Sequence, residues 1–167
     1  MIIGIYIGGT TTDIVGLKDG KIISPVSVKA EDPITTAAGA LGKFVELRDI
    51  QLSEIRFIAA TGVGSGHIRD SLLGITVKKI DEFDAIGTAG AYLSGLEETM
   101  VISMGTGTAI VNVQNGVIQH WGGCGVGGGT IVGLYRKLLN ITNIKTLMDK
   151  AKKGRLGMID LTVGDIA

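Results

Sequence analysis

The chain has 167 residues, 45% of them hydrophobic, with 27 glycines and 2 prolines: enough for one domain or two small lobes with real cores, and too apolar for disorder. Lys+Arg and Asp+Glu both total 16 for a formal net charge of +0, and no basic stretch with interleaved aromatics occurs, which argues against a nucleic-acid partner. The longest apolar runs are strand-sized against the roughly 20 residues of a spanning helix, no basic leader with a cleavage pattern is evident, and one cysteine, Cys124, cannot form an intrachain disulfide; a cytoplasmic protein with no membrane partner is expected.

In chain order, Met1 to Tyr6 reads as a strand, Gly8-Gly9-Thr10-Thr11-Thr12 as a loop at a β-hairpin tip, and Thr12 to Leu17 as a second strand. Lys18-Asp19-Gly20-Lys21 makes a hairpin turn into a strand at Ile22 to Val28. Asp32 as N-cap and Pro33 in the first turn open a helix whose apolar residues, Ile34, Ala37, Ala38, Leu41, Phe44 and Val45, fall at helical spacing. A buried strand follows at Ile55 to Ala60, then Gly64-Ser65-Gly66, a short helix from Ile68 to Leu73 and a strand from Thr76 to Ile80.

Glu82-Phe83-Asp84 precedes an Ala/Gly-rich helix, Ala85 to Leu96, whose small residues suit close packing against a neighbouring backbone. The opening pattern then recurs: strand Met100 to Met104, loop Gly105-Thr106-Gly107-Thr108, strand Ala109 to Val113, turn Asn115-Gly116, strand Val117 to Trp121. Gly122-Gly123-Cys124-Gly125-Val126-Gly127-Gly128-Gly129-Thr130 leads into a helix at Ile131 to Leu139, an amphipathic helix spans Asn143 to Lys153, and a short segment covers Ile159 to Val163. The repetition suggests two related lobes with a cleft between them.

Three Gly/Thr-rich loops, two emerging from strands, point to phosphate handling. Glycine lets backbone N–H groups approach an anion, Thr adds a hydroxyl donor, and a following helix offers its positive end. This is not a P-loop, because neither the following helix nor the Gly-Lys-Ser/Thr ending accompanies the first loop. Among the isolated reactive residues, Cys124 is read as a small-residue filler, His67 as a surface residue, and Lys150, Lys152 and Lys153 as a solvated helix end.

Five motifs, in order, carry a resemblance: Gly4-Ile5-Tyr6-Ile7-Gly8-Gly9-Thr10, Asp81-Glu82-Phe83-Asp84-Ala85, Gly105-Thr106-Gly107-Thr108, Gly122 to Thr130 and Ile159 to Ile166. Together they resemble the type II pantothenate kinases of the acetate and sugar kinase, Hsp70 and actin superfamily. The resemblance implies an α/β fold of ribonuclease-H-like, actin-type lobes: a complete first lobe at 1–97 and a partial, truncated second at 98–167. It also implies ATP- and Mg²⁺-dependent phosphorylation of the pantothenate hydroxyl in coenzyme A biosynthesis, by a homo-dimer. Phosphate and nucleotide contacts then fall to Gly8, Gly9, Thr10, Thr11, Gly105, Thr106, Gly107, Thr108, Gly127, Gly128 and Gly129, the base to Glu82, and substrate contacts to Glu82 and His120. Helix N-terminal capping is the structural alternative for Glu82.

The chain departs from that pattern in three ways. Tyr6 stands where the superfamily carries the aspartate that holds hydrated Mg²⁺, and a phenol is a poor hard-cation ligand at neutral pH. Asp13 replaces a lysine, so that Gly-Gly-Thr-Thr-Thr-Asp-Ile-Val looks more like the hydantoinase and oxoprolinase branch, and His120 replaces an arginine that contacts pantothenate. Family members also extend well past Ala167. Impaired catalysis is therefore expected, and the alternative is a non-catalytic nucleotide-binding or self-associating module derived from such a kinase.

Overall fold

The first three strands form an antiparallel meander, β1 (Ile2–Ile7), β2 (Thr11–Lys18) and β3 (Lys21–Lys29). The computed structural model describes residues 1–141, 143–160 and 163–166. The Asp19–Gly20 turn has both residues at positive φ, 51° and 74°, the type I′ geometry whose twist matches the flanking strands. The tip between β1 and β2 is the first glycine loop, closed by Gly8 N–H donating to the Thr11 carbonyl at 2.9 Å.

Helix α1 (Pro33–Arg48) starts as its sequence demands: Asp32 Oδ1 accepts from the Thr35 N–H at 2.8 Å, and Pro33 occupies the first turn. Its Ala37, Ala40, Leu41 and Phe44 are buried against Ile3, Ile5, Ile7 and Ile14 of the meander and Ile58. Gly16 leaves the volume Phe44 fills, since a Cβ there would lie 2.9 Å from Phe44 Cζ. Strand β4 (Phe57–Thr61) pairs parallel to β1, β5 is Ser71–Leu72, and β6 (Ile75–Lys79) pairs parallel to β4, giving a sheet of order β3-β2-β1-β4-β6-β5.

The short helix expected at Ile68 to Leu73 does not form. A 3₁₀ helix occupies Val63–His67, and β5 and β6 make a hairpin through Leu73 and Gly74, both at positive φ. Glycines at 64 and 66 disfavour an α-helix, Ile68, Leu72, Ile75 and Val77 bury in the core, and Lys79 Nζ donates to the Ile68 carbonyl at 2.5 Å and to that of Ser65.

Helix α2 (Glu82–Ser94) begins three residues earlier than expected because Asp81 is the N-cap, its Oδ1 accepting from Phe83 and Asp84 N–H at 2.8 and 3.2 Å. Strands β7 (Thr99–Met104), β8 (Thr108–Gln114) and β9 (Val117–Cys124) form a second antiparallel sheet. It repeats the opening meander down to the turn, Asn115–Gly116 standing at φ 51° and 73°. Although α2 precedes residue 98 in sequence, it packs on this second sheet: a Cβ at Gly87 would lie 2.6 Å from Ile118 Cγ2, and one at Gly90 2.2 Å from Val101 Cγ2. Its small residues thus admit β-branched side chains rather than a backbone.

Helix α3 (Gly128–Leu139) starts at the second of the three consecutive glycines, and α4 (Ile144–Ala151) is capped by Asn143. The segment expected at Ile159 to Val163 lies partly outside the described residues; helix α5 (Val163–Ile166) ends the described chain. No helix among the described residues is long and apolar enough to cross a membrane.

Thr12, read as part of the first loop, points instead into the core. It is 0% exposed, and its Oγ1 has no hydrogen-bond partner among the described residues. A buried hydroxyl without a partner carries a desolvation cost of about 1–3 kcal/mol, and valine has nearly the same shape. Thr12→Val is therefore expected to stabilise the fold by about 1 kcal/mol, seen as a rise of roughly 2–4 °C in thermal midpoint; an unchanged or lower midpoint would show that the hydroxyl is satisfied.

Candidate functional site

The β1–β2 tip, the β7–β8 turn and the loop leading into α3 converge. Thr10 Oγ1 and Thr106 Oγ1 lie 3.0 Å apart and join the tips of the two meanders. Glycine is required by space where the second and third loops meet. A Cβ at Gly127 would sit 2.6 Å from the Gly107 carbonyl oxygen and 2.8 Å from that of Gly105, one at Gly107 2.8 Å from the Cys124 carbonyl oxygen, and one at Gly129 2.9 Å from Thr106 Cγ2.

The same loops are tied internally. Gly105 N–H donates to the Gly107 carbonyl at 2.9 Å, Gly129 N–H to the Gly105 carbonyl at 3.4 Å, Thr108 Oγ1 to the Val126 carbonyl at 2.8 Å, and Thr130 Oγ1 to the Gly125 carbonyl at 2.9 Å. The N–H groups of Gly9, Thr10, Thr106, Gly107 and Gly128 have no partner among the described residues. All five residues line the cavities here, so backbone donors of the kind an anion needs are gathered in one place. Gly8, Gly105, Gly127 and Gly129 N–H groups are spent inside the loops, Gly127 on Thr130 Oγ1; these glycines provide clearance.

Two cavities share this region. One, of about 440 Å³, is lined by Glu82, Phe83 and His120 together with the Gly105–Thr108 turn; the other, of about 240 Å³, lies between Gly8–Thr11, Gly105–Thr106 and Gly128–Gly129. A third, of about 450 Å³, is an apolar slot between the uncovered face of the first sheet and α2, walled by Gly4, Ala59, Ala85 and Ala89.

Glu82 stands in the first turn of α2, on the wall between the cavity that holds His120 and the apolar slot. Asp81, not Glu82, performs the capping, so the Glu82 carboxylate is left to face the cavities. Its Oε1 accepts from Tyr6 Oη at 3.1 Å. Burial first, then the Glu82 charge and this hydrogen bond, then Asp13, push the Tyr6 phenol up to about 12. His120 on β9 stacks on Phe83, centroids 3.9 Å apart and planes 10° from parallel, which places an imidazole beside Glu82 in the same cavity.

The other residues singled out fall as follows. Thr11, which lines the cavity between the hairpin tip and α3, donates to Asp13 Oδ2 at 2.8 Å. Cys124 is exposed, its Sγ 3.5 Å from the Val126 carbonyl. His67, Lys150, Lys152 and Lys153 are exposed. Phe83 as the support of His120 escaped sequence reasoning, since nothing in the local pattern around either residue indicates that they stack.

The cradle that added Cβ atoms would fill, with its unpartnered N–H groups, fits the phosphates of a nucleotide. A magnesium would find no carboxylate at Tyr6, whose phenol stays protonated far above neutral pH, and no group of three or more His, Cys, Asp or Glu side chains among the described residues, so it would depend on the nucleotide's phosphates and on water.

The family model described as Fumble matches residues 98–167. A type II pantothenate kinase of Bacillus thuringiensis subsp. konkukian is 32% identical over 98% of this chain and 58% of its own length; the chain thus spans less than two thirds of this curated relative. Among solved structures, component A of the Acidaminococcus fermentans (R)-2-hydroxyglutaryl-CoA dehydratase superposes with a TM-score of 0.73 at 22% identity, over 92% of this chain and 59% of that one. The activator of the Clostridium difficile 2-hydroxyisocaproyl-CoA dehydratase, solved with bound ADPNP, gives 0.70 at 18% identity over 92% and 57%. The architecture is the actin-like ATPase fold, as expected from the motifs.

Proposed function

Because this chain is a relative of the type II pantothenate kinases with an actin-like ATPase fold, we propose that it carries the phosphate-binding loops and the base of an ATP-dependent kinase acting on the primary hydroxyl of pantothenate, the entry to coenzyme A biosynthesis, in the cytoplasm. The observation that carries this reading is the convergence of three Gly/Thr loops on cavities that also hold Glu82 and His120.

When bound, ATP supplies the phosphoryl group. The residues that would hold its phosphates are Gly9, Thr10, Thr106, Gly107 and Gly128 through backbone N–H groups, with the Thr10 and Thr106 hydroxyls beside them. Glu82 takes the proton from the acceptor hydroxyl as that oxygen becomes a nucleophile. Tyr6 already occupies Glu82 Oε1, so the proton goes to Oε2. His120, held flat by Phe83, donates a ring N–H to the acceptor's carboxylate. The loop N–H groups meet the charge that gathers on the transferred phosphoryl oxygens.

One observation favours a second reading. Tyr6, a bulky neutral group, stands on the phosphate-side wall, which suits a module that binds nucleotide without turning it over. Exposed Met100, Ile102 and Met104 on the open face of β7 favour pairing of two copies, and a dimer is expected by light scattering.

Calorimetric titration with ATP, with and without Mg²⁺, followed by a panel of small alcohols including pantothenate, tests both readings. The kinase reading predicts micromolar binding and phosphorylated pantothenate. Binding without product on any alcohol supports the module, and no binding overturns both.

A further inference from the structure

Tyr6 is lodged where the three cavities meet, and it lines each of them. Its ring occupies volume that two other elements leave clear. A Cβ at Gly8, on the hairpin tip, would lie 2.7 Å from Tyr6 Cε1; one at Gly62, which follows β4 at φ 89°, would lie 3.0 Å from Cε2. In the sheet register Tyr6 stands between Asp13 on β2 and Thr61 on β4. Two carboxylates therefore compete for one phenol. Asp13 Oδ2 is already taken by Thr11 Oγ1 at 2.8 Å, and the phenol bonds Glu82 Oε1. No salt bridge engages either acid among the described residues.

We propose that Tyr6 is a positioning residue for Glu82, its phenol fixing Oε1 on the wall between the phosphate-side cavity and the apolar slot so that Oε2 alone is presented to an acceptor hydroxyl. The inference rests on Glu82 being the base. A glutamate in a first helical turn otherwise keeps several rotamers, and a proton acceptor works only when held within hydrogen-bond reach of the hydroxyl it serves. The donor is dependable because its phenol, pushed up to about 12 by burial and by Glu82 and Asp13, stays protonated at neutral pH. A raised folded value means that Tyr6 contributes stability which is fully present below its ordinary value near 10 and is lost as pH rises from there to about 12.

Tyr6→Phe keeps the ring in its slot and removes only the donor, so the fold survives. In protein labelled with ¹³C at the glutamate carboxyls, with the Glu82 signal assigned by its loss in Glu82→Gln, that signal is expected to shift in Tyr6→Phe while the other glutamates stay in place. In an ultraviolet titration of the three tyrosines, the late step near pH 12 is expected to move down in Glu82→Gln, which removes the charge and keeps an acceptor. Where turnover is measurable, Tyr6→Phe lowers kcat by about threefold to tenfold, with KM for ATP unchanged. An unmoved Glu82 signal together with an unmoved tyrosine step overturns the proposal. These two spectroscopic readouts need no catalysis, so they decide the pair even if ATP titration sinks the kinase reading.

Discussion

Glu82→Gln is expected to cut phosphorylation of pantothenate by about 10²- to 10⁴-fold, the usual contribution of a positioned general base, while ATP affinity stays within about twofold. Glutamine has the same shape, its Oε1 still accepts from Tyr6 Oη, and Asp81 still caps α2. The cost to the fold is one charge in a first helical turn that retains Asp84, about 0.3–1 kcal/mol. What is lost is the proton-accepting oxygen. The measurement is product formation against pH for both proteins. An acidic limb present in the wild type and absent from the residual activity of the variant identifies the group as the base; equal rates would remove Glu82 from the chemistry and leave it a wall residue.

That the variant is so clean a test depends on a detail the local sequence holds, the choice of N-cap for α2. Asp81-Glu82-Phe83-Asp84 offers three carboxylates within one turn. The first of them, an Asp just before an apolar run, has the short side chain that reaches back to two N–H groups. Assigning the cap to Asp81 frees Glu82 for the cavity. Signals of this local kind also made the two meanders legible, since Asp19-Gly20 and Asn115-Gly116 each demand the same left-handed turn, and Asp32-Pro33 announced α1.

What stayed hidden was non-local. The stretch from Gly64 to Leu73 carries apolar residues at spacings that suit a helix or a hairpin, and burial of Ile68 and Leu72 beside the β4 and β6 strands decided for the hairpin. The small residues of α2 announced a close neighbour without saying which; Val101 and Ile118 of the second sheet supply it. His120 was legible as a candidate only by alignment with a motif, and Phe83, 37 places earlier in the chain and stacked on it, had no signal of its own. The glycine loops suggest donors of N–H groups, yet about half of those glycines give clearance while their neighbours keep the free donors.

That division of labour makes Gly127→Ala a damaging single methyl in the site. The backbone at Gly127 is extended, φ −161°, which alanine adopts without strain, so the effect is one of space alone. Its Cβ would stand 2.6 and 2.7 Å from the Gly107 carbonyl oxygen and carbon and 2.8 Å from the Gly105 carbonyl oxygen. All three are backbone atoms of a turn already closed by Gly105 N–H on the Gly107 carbonyl, so no side chain can swing away. The two loops must separate. Overpacking of this kind costs about 1–3 kcal/mol, and it displaces the Gly107 and Gly128 N–H groups together. Loss of two charge-assisted hydrogen bonds at about 1.5–3 kcal/mol each lowers ATP affinity by at least 100-fold. Gly122→Ala is the matched control, because a Cβ there meets nothing within 4 Å; it should bind ATP as the wild type does. Calorimetric titration and thermal unfolding of the two variants separate the outcomes. If Gly127→Ala kept wild-type affinity, the N–H groups at this junction would not be the ones that hold the phosphates.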